Sequence, residues 1–278
     1  MAGLKAIFVK RLIIPGEHGA WVWLLVPFLV GGLVASELSQ PAANAGLALL
    51  LVGLGGLSAF LLRQPAAAWQ RMKQGKGNRD LAPLAAGWSL GFATAALLCF
   101  ASLLALGRTA LLSLVAAGSG IFLLYLYAAR LGRAGTRALW MEAAGAAGLS
   151  LMAPAAVIAV TGQMLPAAWG LWGVLAAQNV LAVLYVRLRL ADTKNRPAGS
   201  RPVARRLVMA AHVVGALLVG IAGILGWIPL LSLVPFLAFC LRAWWAAAQP
   251  RPVPDVRRFG FLELGIAVLI GCWFILSY

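Results

Sequence analysis

The sequence predicts an all-α, polytopic membrane protein with nine transmembrane helices, forming one transmembrane domain over residues 1–278. Three observations lead there. The chain is 63% hydrophobic and only 11% charged, against about 45–50% and about 25% in soluble domains, and its mean hydropathy is +0.92. Nine runs approach the roughly 20 apolar residues that cross a bilayer. Lysine and arginine fall almost entirely on alternate connections between those runs.

The predicted spans are 20–36, 45–62, 83–106, 109–129, 138–161, 166–186, 203–225, 228–248 and 259–277. The first follows Pro15, which stops any earlier helix, and its spanning length argues against a short cleavable leader. Gly226-Trp227 and Pro229 separate the seventh and eighth. The amino-terminal arm and the second–third, fourth–fifth, sixth–seventh and eighth–ninth connections carry every lysine and arginine except Arg108. Positive residues stay on the cytoplasmic side, so a cytoplasmic amino terminus and an external carboxyl terminus are expected. Net charge of +16 spread between apolar runs fits this orientation and argues against a nucleic-acid partner. Cys99, Cys240 and Cys272 lie in apolar runs without metal-type spacing and read as packing residues. Residues 63–82 and 187–202 are the long polar connections, expected as cytoplasmic loops capping a central cavity.

Ionisable groups inside spans are costly and tend to face a cavity or a partner. Gln178, Tyr185 and Arg189 lie within about 20° of one line on the sixth span at 100° per residue; with Asn179 and Arg187 they are candidate ligand contacts. Interfacial anchoring of Tyr185 and Arg189 accounts for the same line equally well. Arg205 and His212 share a face of the seventh span, with His212 as a proton carrier or as a helix–helix hydrogen-bond donor. Glu17 suits a positive helix end, whereas His18 gains nothing from capping and is expected to line the cavity mouth. Arg63, Gln64, Arg71 and Lys73, together with Glu17 and Arg205 as further ligand contacts, complete the expected site; Glu142 and Glu263 are expected to pair with arginines. Gly53, Gly55, Gly56 and Gly145 read as helix-packing residues. Trp244 and Trp245 beside Arg242 read as an interfacial anchor, and Arg257 as a plain positive-inside charge.

Two stretches, PGEHGAWVWLLVPFLVGG and VLYVRLRLADTKNRPAGSRPVARRLVMAAHVVG, resemble the YwiC-like family of bacterial membrane proteins. The architecture resembles the UbiA superfamily of intramembrane prenyltransferases, which implies a helical bundle around a central cavity open to the cytoplasmic side. That superfamily holds magnesium through Asp-rich motifs; here only Asp80 and Asp192 remain, each alone, among arginines, lysines and glutamines. Arginines bind phosphate directly, with bidentate, charge-assisted bonds, so no cofactor is expected. The expected ligand is a membrane lipid or isoprenoid-type anion, with His18 or His212 as acid–base groups if the protein is a transferase. Transport of a small anion, and a haem-related or structural role, are the alternatives; the oligomeric state stays open.

The orientation is tested with single cysteines in a cysteine-free background. Positions 76, 134 and 198 should resist a membrane-impermeant thiol reagent in intact cells, whereas 40 and 163 should label. Strong labelling at 76 would overturn the orientation.

Overall fold

A computed structural model describes residues 9–16, 18–193, 201–249 and 251–278; for Lys10, Arg11, His18, Arg133 and 201–203 it describes the backbone alone. Among the described residues there is no strand, and nine helical spans are long and apolar enough to cross a membrane. The main helices are α1 His18–Leu38, α2 Ala45–Lys73, α3 Ala82–Ala105, α4 Leu111–Arg130, α5 Leu139–Leu149, α6 Met152–Thr161, α7 Pro166–Thr193, α8 Arg201–Ile224, α9 Leu233–Ala248 and α10 Val256–Ser277. The helices α5 and α6 together make the fifth span.

The ends of two helices differ from the sequence expectation. Residues 63–73, expected to open a loop, continue α2. The stretch is rich in Ala, Gln, Arg, Met and Lys, all good helix formers, and its last turn carries Arg71 and Lys73, which complement the helix C-terminus. Gly75 and Gly77, with φ of 78° and 108°, end it. At 29 residues and 1.5 Å per residue, α2 is about 43 Å long and outruns a bilayer core of about 30 Å. Residues 187–193 likewise continue α7, while 194–200 lie outside the described residues.

The fifth span is broken rather than continuous. Pro154 has no N–H to give the Ser150 carbonyl, which accepts from the Ala153 amide at 3.0 Å instead. The Ser150 hydroxyl donates back to the Ala146 carbonyl at 2.9 Å, and Asn179 Nδ2 of α7 donates to that hydroxyl at 2.9 Å. The break is therefore held by the neighbouring helix.

The interior is built around α7 and α6. Val30 and Val34 of α1, Val157 of α6, Leu171 and Leu175 of α7, Phe236 of α9 and Phe274 of α10 pack as one core. Close approach depends on glycine: a Cβ on Gly31 would collide with the Ala153 carbonyl, and one on Gly271 with Val26. The most extensive helix pair is α2 with α3, where Gly55 faces Cys99. Gly53 and Gly56 pack tightly too, against Phe28 and Met152. Gly145 departs from its expected packing role, since a Cβ there would meet open space.

One end of the bundle carries the helix termini rich in arginine. Arg108 stands at the other, 5% exposed. Its Nε donates to the Ala159 carbonyl at 3.0 Å, one terminal nitrogen to Leu106 at 3.0 Å and the other to Ala43 at 2.7 Å. This side chain ties the C-terminal ends of α3 and α6 to the turn before α2, where negative carbonyl dipoles gather. Replacing Arg108 with Ala should cost about 2–3 kcal/mol, read as a lowered Tm in detergent. Arg108→Lys should recover part of the loss, because an ammonium still donates to one or two carbonyls. An unchanged Tm in Arg108→Ala would refute the clamp.

Candidate functional site

Apolar helices packed at uneven distances leave one large cavity of about 1840 Å³, above the 300–1,000 Å³ typical of small-molecule sites. It is walled by α1 to α7 and α10, mostly with aliphatic and aromatic side chains, including Phe60, Phe100, Phe122 and Leu149. The charged lining sits at the basic end: Arg63, Arg137, Arg187 and Arg257 against Glu142 and Glu263.

The mouth is organised by contacts to carboxylate, carbonyl and ring. Arg187 stands with its guanidinium 3.5 Å from the Glu142 carboxylate and donates to the Arg137 carbonyl at 2.8 Å. Arg63 lies over Phe60, 4.6 Å from the ring centroid, and 5.7 Å from that of Tyr125. These contacts orient the cations and leave the mouth with a net positive charge, since four arginines share it with two acids.

A second polar cluster sits between α7, α9 and α10. Arg242 donates through one terminal nitrogen to both Glu263 oxygens, at 2.9 and 3.0 Å. Its guanidinium carbon lies 3.9 Å from the Tyr185 ring centroid and 5.0 Å from that of Phe239, geometry suited to cation–π attraction. Tyr185 packs beside Phe259 at 6.2 Å, and Arg189 is close enough to act electrostatically on Tyr185 and Glu263. Arg242 lies six residues inside α9 and Glu263 seven inside α10, about 9–10 Å from the helix ends. The pair is thus within the span rather than on the connection where the sequence suggested Arg242. Glu263 belongs to both cluster and cavity wall.

The remaining predicted residues are distributed elsewhere. Arg205 pairs with Asp192 at 2.5 Å and donates to the Ala247 carbonyl at 2.6 Å, clamping α7, α8 and α9. His212 is 1% exposed; its Nδ1 meets the Val208 carbonyl at 2.7 Å, and its own carbonyl accepts from the Cys240 thiol at 3.1 Å. Neither residue, nor Tyr185 or Arg189, is part of the cavity lining. Gln178 is buried in α7 with its carbonyl oxygen unpartnered among the described residues, beside Asn179. Arg71, Lys73 and the half-buried Gln64 lie along the end of α2 outside the lining, Lys73 over the Trp69 ring at 4.0 Å. Glu17 and the His18 side chain lie outside the described residues.

Of the expected constellation, the structure therefore brings Arg63 and Arg187 together at one mouth. It adds Arg137, Arg257, Glu142 and Glu263, which the sequence pattern held apart from the site. The two glutamates had a signal: they are the span acids expected to find arginine partners, and both do. Among the described residues no three acidic, histidine or cysteine side chains gather as a metal cluster. Asp192 is committed to Arg205, and Asp80 sits in the exposed turn capped by Asn78.

The Arg242–Glu263 pair is only one-fifth and one-eighth exposed. Removing one member of such a pair costs about 3–5 kcal/mol, whereas replacing both with apolar residues is often neutral. Arg242→Leu alone should sharply lower the Tm, and Arg242→Leu with Glu263→Leu should recover most of it. A double variant no better than the single would refute the pairing as the source of stability.

The comparisons with known proteins bear on the first five spans. The family model described as "YwiC-like protein" matches residues 14–157, more than half of the chain, taking in Arg63, Arg137 and Glu142 of the mouth. No curated protein and no solved structure matches the chain, so the architectural likeness to the UbiA superfamily is not carried by any of these matches. On the extent of that family match, and with nine apolar spans around it, the chain belongs to the YwiC-like family of membrane proteins.

Proposed function

We propose that the protein binds an amphipathic anion, an isoprenoid or lipid phosphate, with its headgroup among the arginines at the basic end and its chain in the apolar cavity. The observation that carries this reading is the polarity of the lining: Arg63, Arg137, Arg187 and Arg257 at one end, apolar walls over the rest. Charge-assisted bonds from arginine to a phosphate strengthen where water is scarce. A small hydrated anion would gain little from these walls, because aliphatic side chains cannot replace its hydration shell. Positive-inside placement supports a mouth on the cytoplasmic face of a bacterial cytoplasmic membrane. Transfer chemistry draws less support, because His212 stands away from the lining and engages its Nδ1 within its own helix.

The test is binding of a long-chain alkyl phosphate to protein in phosphatidylcholine nanodiscs. Truncating one partner of a desolvated, charge-assisted contact costs about 2–5 kcal/mol, so Arg63→Ala should weaken binding at least about tenfold. Arg257→Ala should weaken it as well, in contrast to the anchoring role its sequence position suggested. Arg206→Ala, an exposed cation outside the lining, should change it little. A chelator should leave binding intact. Equal losses at all three positions would mean surface attraction rather than a site, and metal-dependent binding would contradict direct recognition by arginine.

A further inference from the structure

The cavity is long as well as large. Its lining runs on α2 from Leu51 to Arg63 and on α4 from Leu111 to Tyr125. At 1.5 Å per residue these stretches measure about 18 and 21 Å along the helix axes, more than half of a bilayer core of about 30 Å. The arginines stand at one extreme. At the other lie the buried Leu103, Leu111 and Leu114, near the turn that joins α3 to α4.

Along this axis the wall is kept thin by residues without side chains, midway at Gly118 and about one turn in from the mouth at Gly145. Gly118 of α4 lies seven residues from both Leu111 and Tyr125, and Gly145 of α5 lies three beyond Glu142; both line the cavity. A Cβ built on either meets nothing within 4 Å. The contrast with Gly31, Gly56 and Gly148 is sharp, because a Cβ there would collide with Ala153, Met152 and Ile121. Helix packing accounts for the second group; Gly87, Gly91 and Gly120 have equally open flanks but stand outside the lining, so it is the place of Gly118 in the cavity wall, away from the arginine end, that sets it apart. A glycine facing open space in a span is a poorer helix former than alanine, and no close helix approach offsets that loss.

We infer that the cavity is a lengthwise channel for an extended hydrocarbon chain, phosphate at the arginines and chain tip at Leu103–Leu114, with Gly118 as the residue that sets how far the chain reaches. The inference rests on the anionic-lipid reading for the headgroup, but the depth and the glycine stand on the geometry alone. The ligand class is thus narrowed to lipid phosphates whose chain extends about 20 Å along the bundle. A bulky side chain at Gly118 divides the channel without disturbing a helix contact, so the head end stays open while the tip end closes.

The experiment uses the full chain in phosphatidylcholine nanodiscs with two photoreactive hexadecyl phosphates. One carries a diazirine on the terminal carbon, the other beside the phosphate. The terminal probe should label residues 103–115, and the head probe the neighbourhood of Phe60, Arg63 and Tyr125. Gly118→Trp should cut terminal labelling about tenfold by obstructing the chain's path, equivalent to about 1.4 kcal/mol, and leave head labelling within about twofold. Gly118→Leu, a smaller change, should give an intermediate loss and keeps the test valid if the tryptophan variant misfolds. Terminal labelling confined to lipid-facing residues, or indifferent to both substitutions, overturns the channel. A terminally labelled hexadecanol separates the two readings: labelling of 103–115 equal to that of the phosphate retains the channel and defeats anion recognition.

Discussion

An arginine inside a hydrocarbon slab has to find a partner, and this constraint organises the protein more than any other. The chain carries 23 lysines and arginines against seven acids, so carboxylates alone cannot serve them. Arg108 is satisfied entirely by three backbone carbonyls. Arg205 combines Asp192 with a carbonyl, Arg187 combines Glu142 with a carbonyl, and Arg242 combines Glu263 with the Tyr185 face. Each arrangement joins two or three helices, and the bundle is tied together at the places where charge enters it.

The same constraint separates structural arginines from those that face the cavity. The clamps at Arg108 and Arg205 are closed, with short bonds to neighbouring elements and little exposure. At the cavity mouth the contacts are looser: an ion pair at 3.5 Å and guanidinium–ring approaches near 5 Å. Cations beside an apolar space are what an anionic lipid head requires. The space itself follows from packing, because α1 and α6 meet through Gly31 while Gly118 and Gly145 leave their helices with open flanks.

Much of the fold was legible in the sequence, because nine apolar runs and alternating cations report the same architecture independently. Helix ends beyond the membrane were not legible, since residues 63–73 and 187–193 lack the apolar signal that marks a span and differ from a polar loop only in helix propensity. The break at Ser150 was hidden because Pro154 sits in an otherwise continuous apolar run. For the site, the expected line of Gln178, Tyr185 and Arg189 stands outside the cavity lining, and Tyr185 and Arg189 share surroundings with Arg242 and Glu263 instead. A helical wheel gives the angle of such a line but not the neighbour it meets. Here it meets α9 and α10, while Val183, Val186 and Arg187 turn to the cavity. Arg242 was counted with the eighth–ninth connection because its charge fits the positive-inside pattern, although it falls within the predicted span 228–248; Glu263 at a matching depth was the available clue.

The most direct measurement of the central claim is a cryo-electron microscopy map of the protein in nanodiscs supplied with an isoprenyl or alkyl phosphate. Elongated density is expected along the bundle axis, with the phosphate within hydrogen-bond reach of Arg63 and Arg187. A water-filled path open to both faces, or a headgroup seated at the Leu103 end, would contradict that claim.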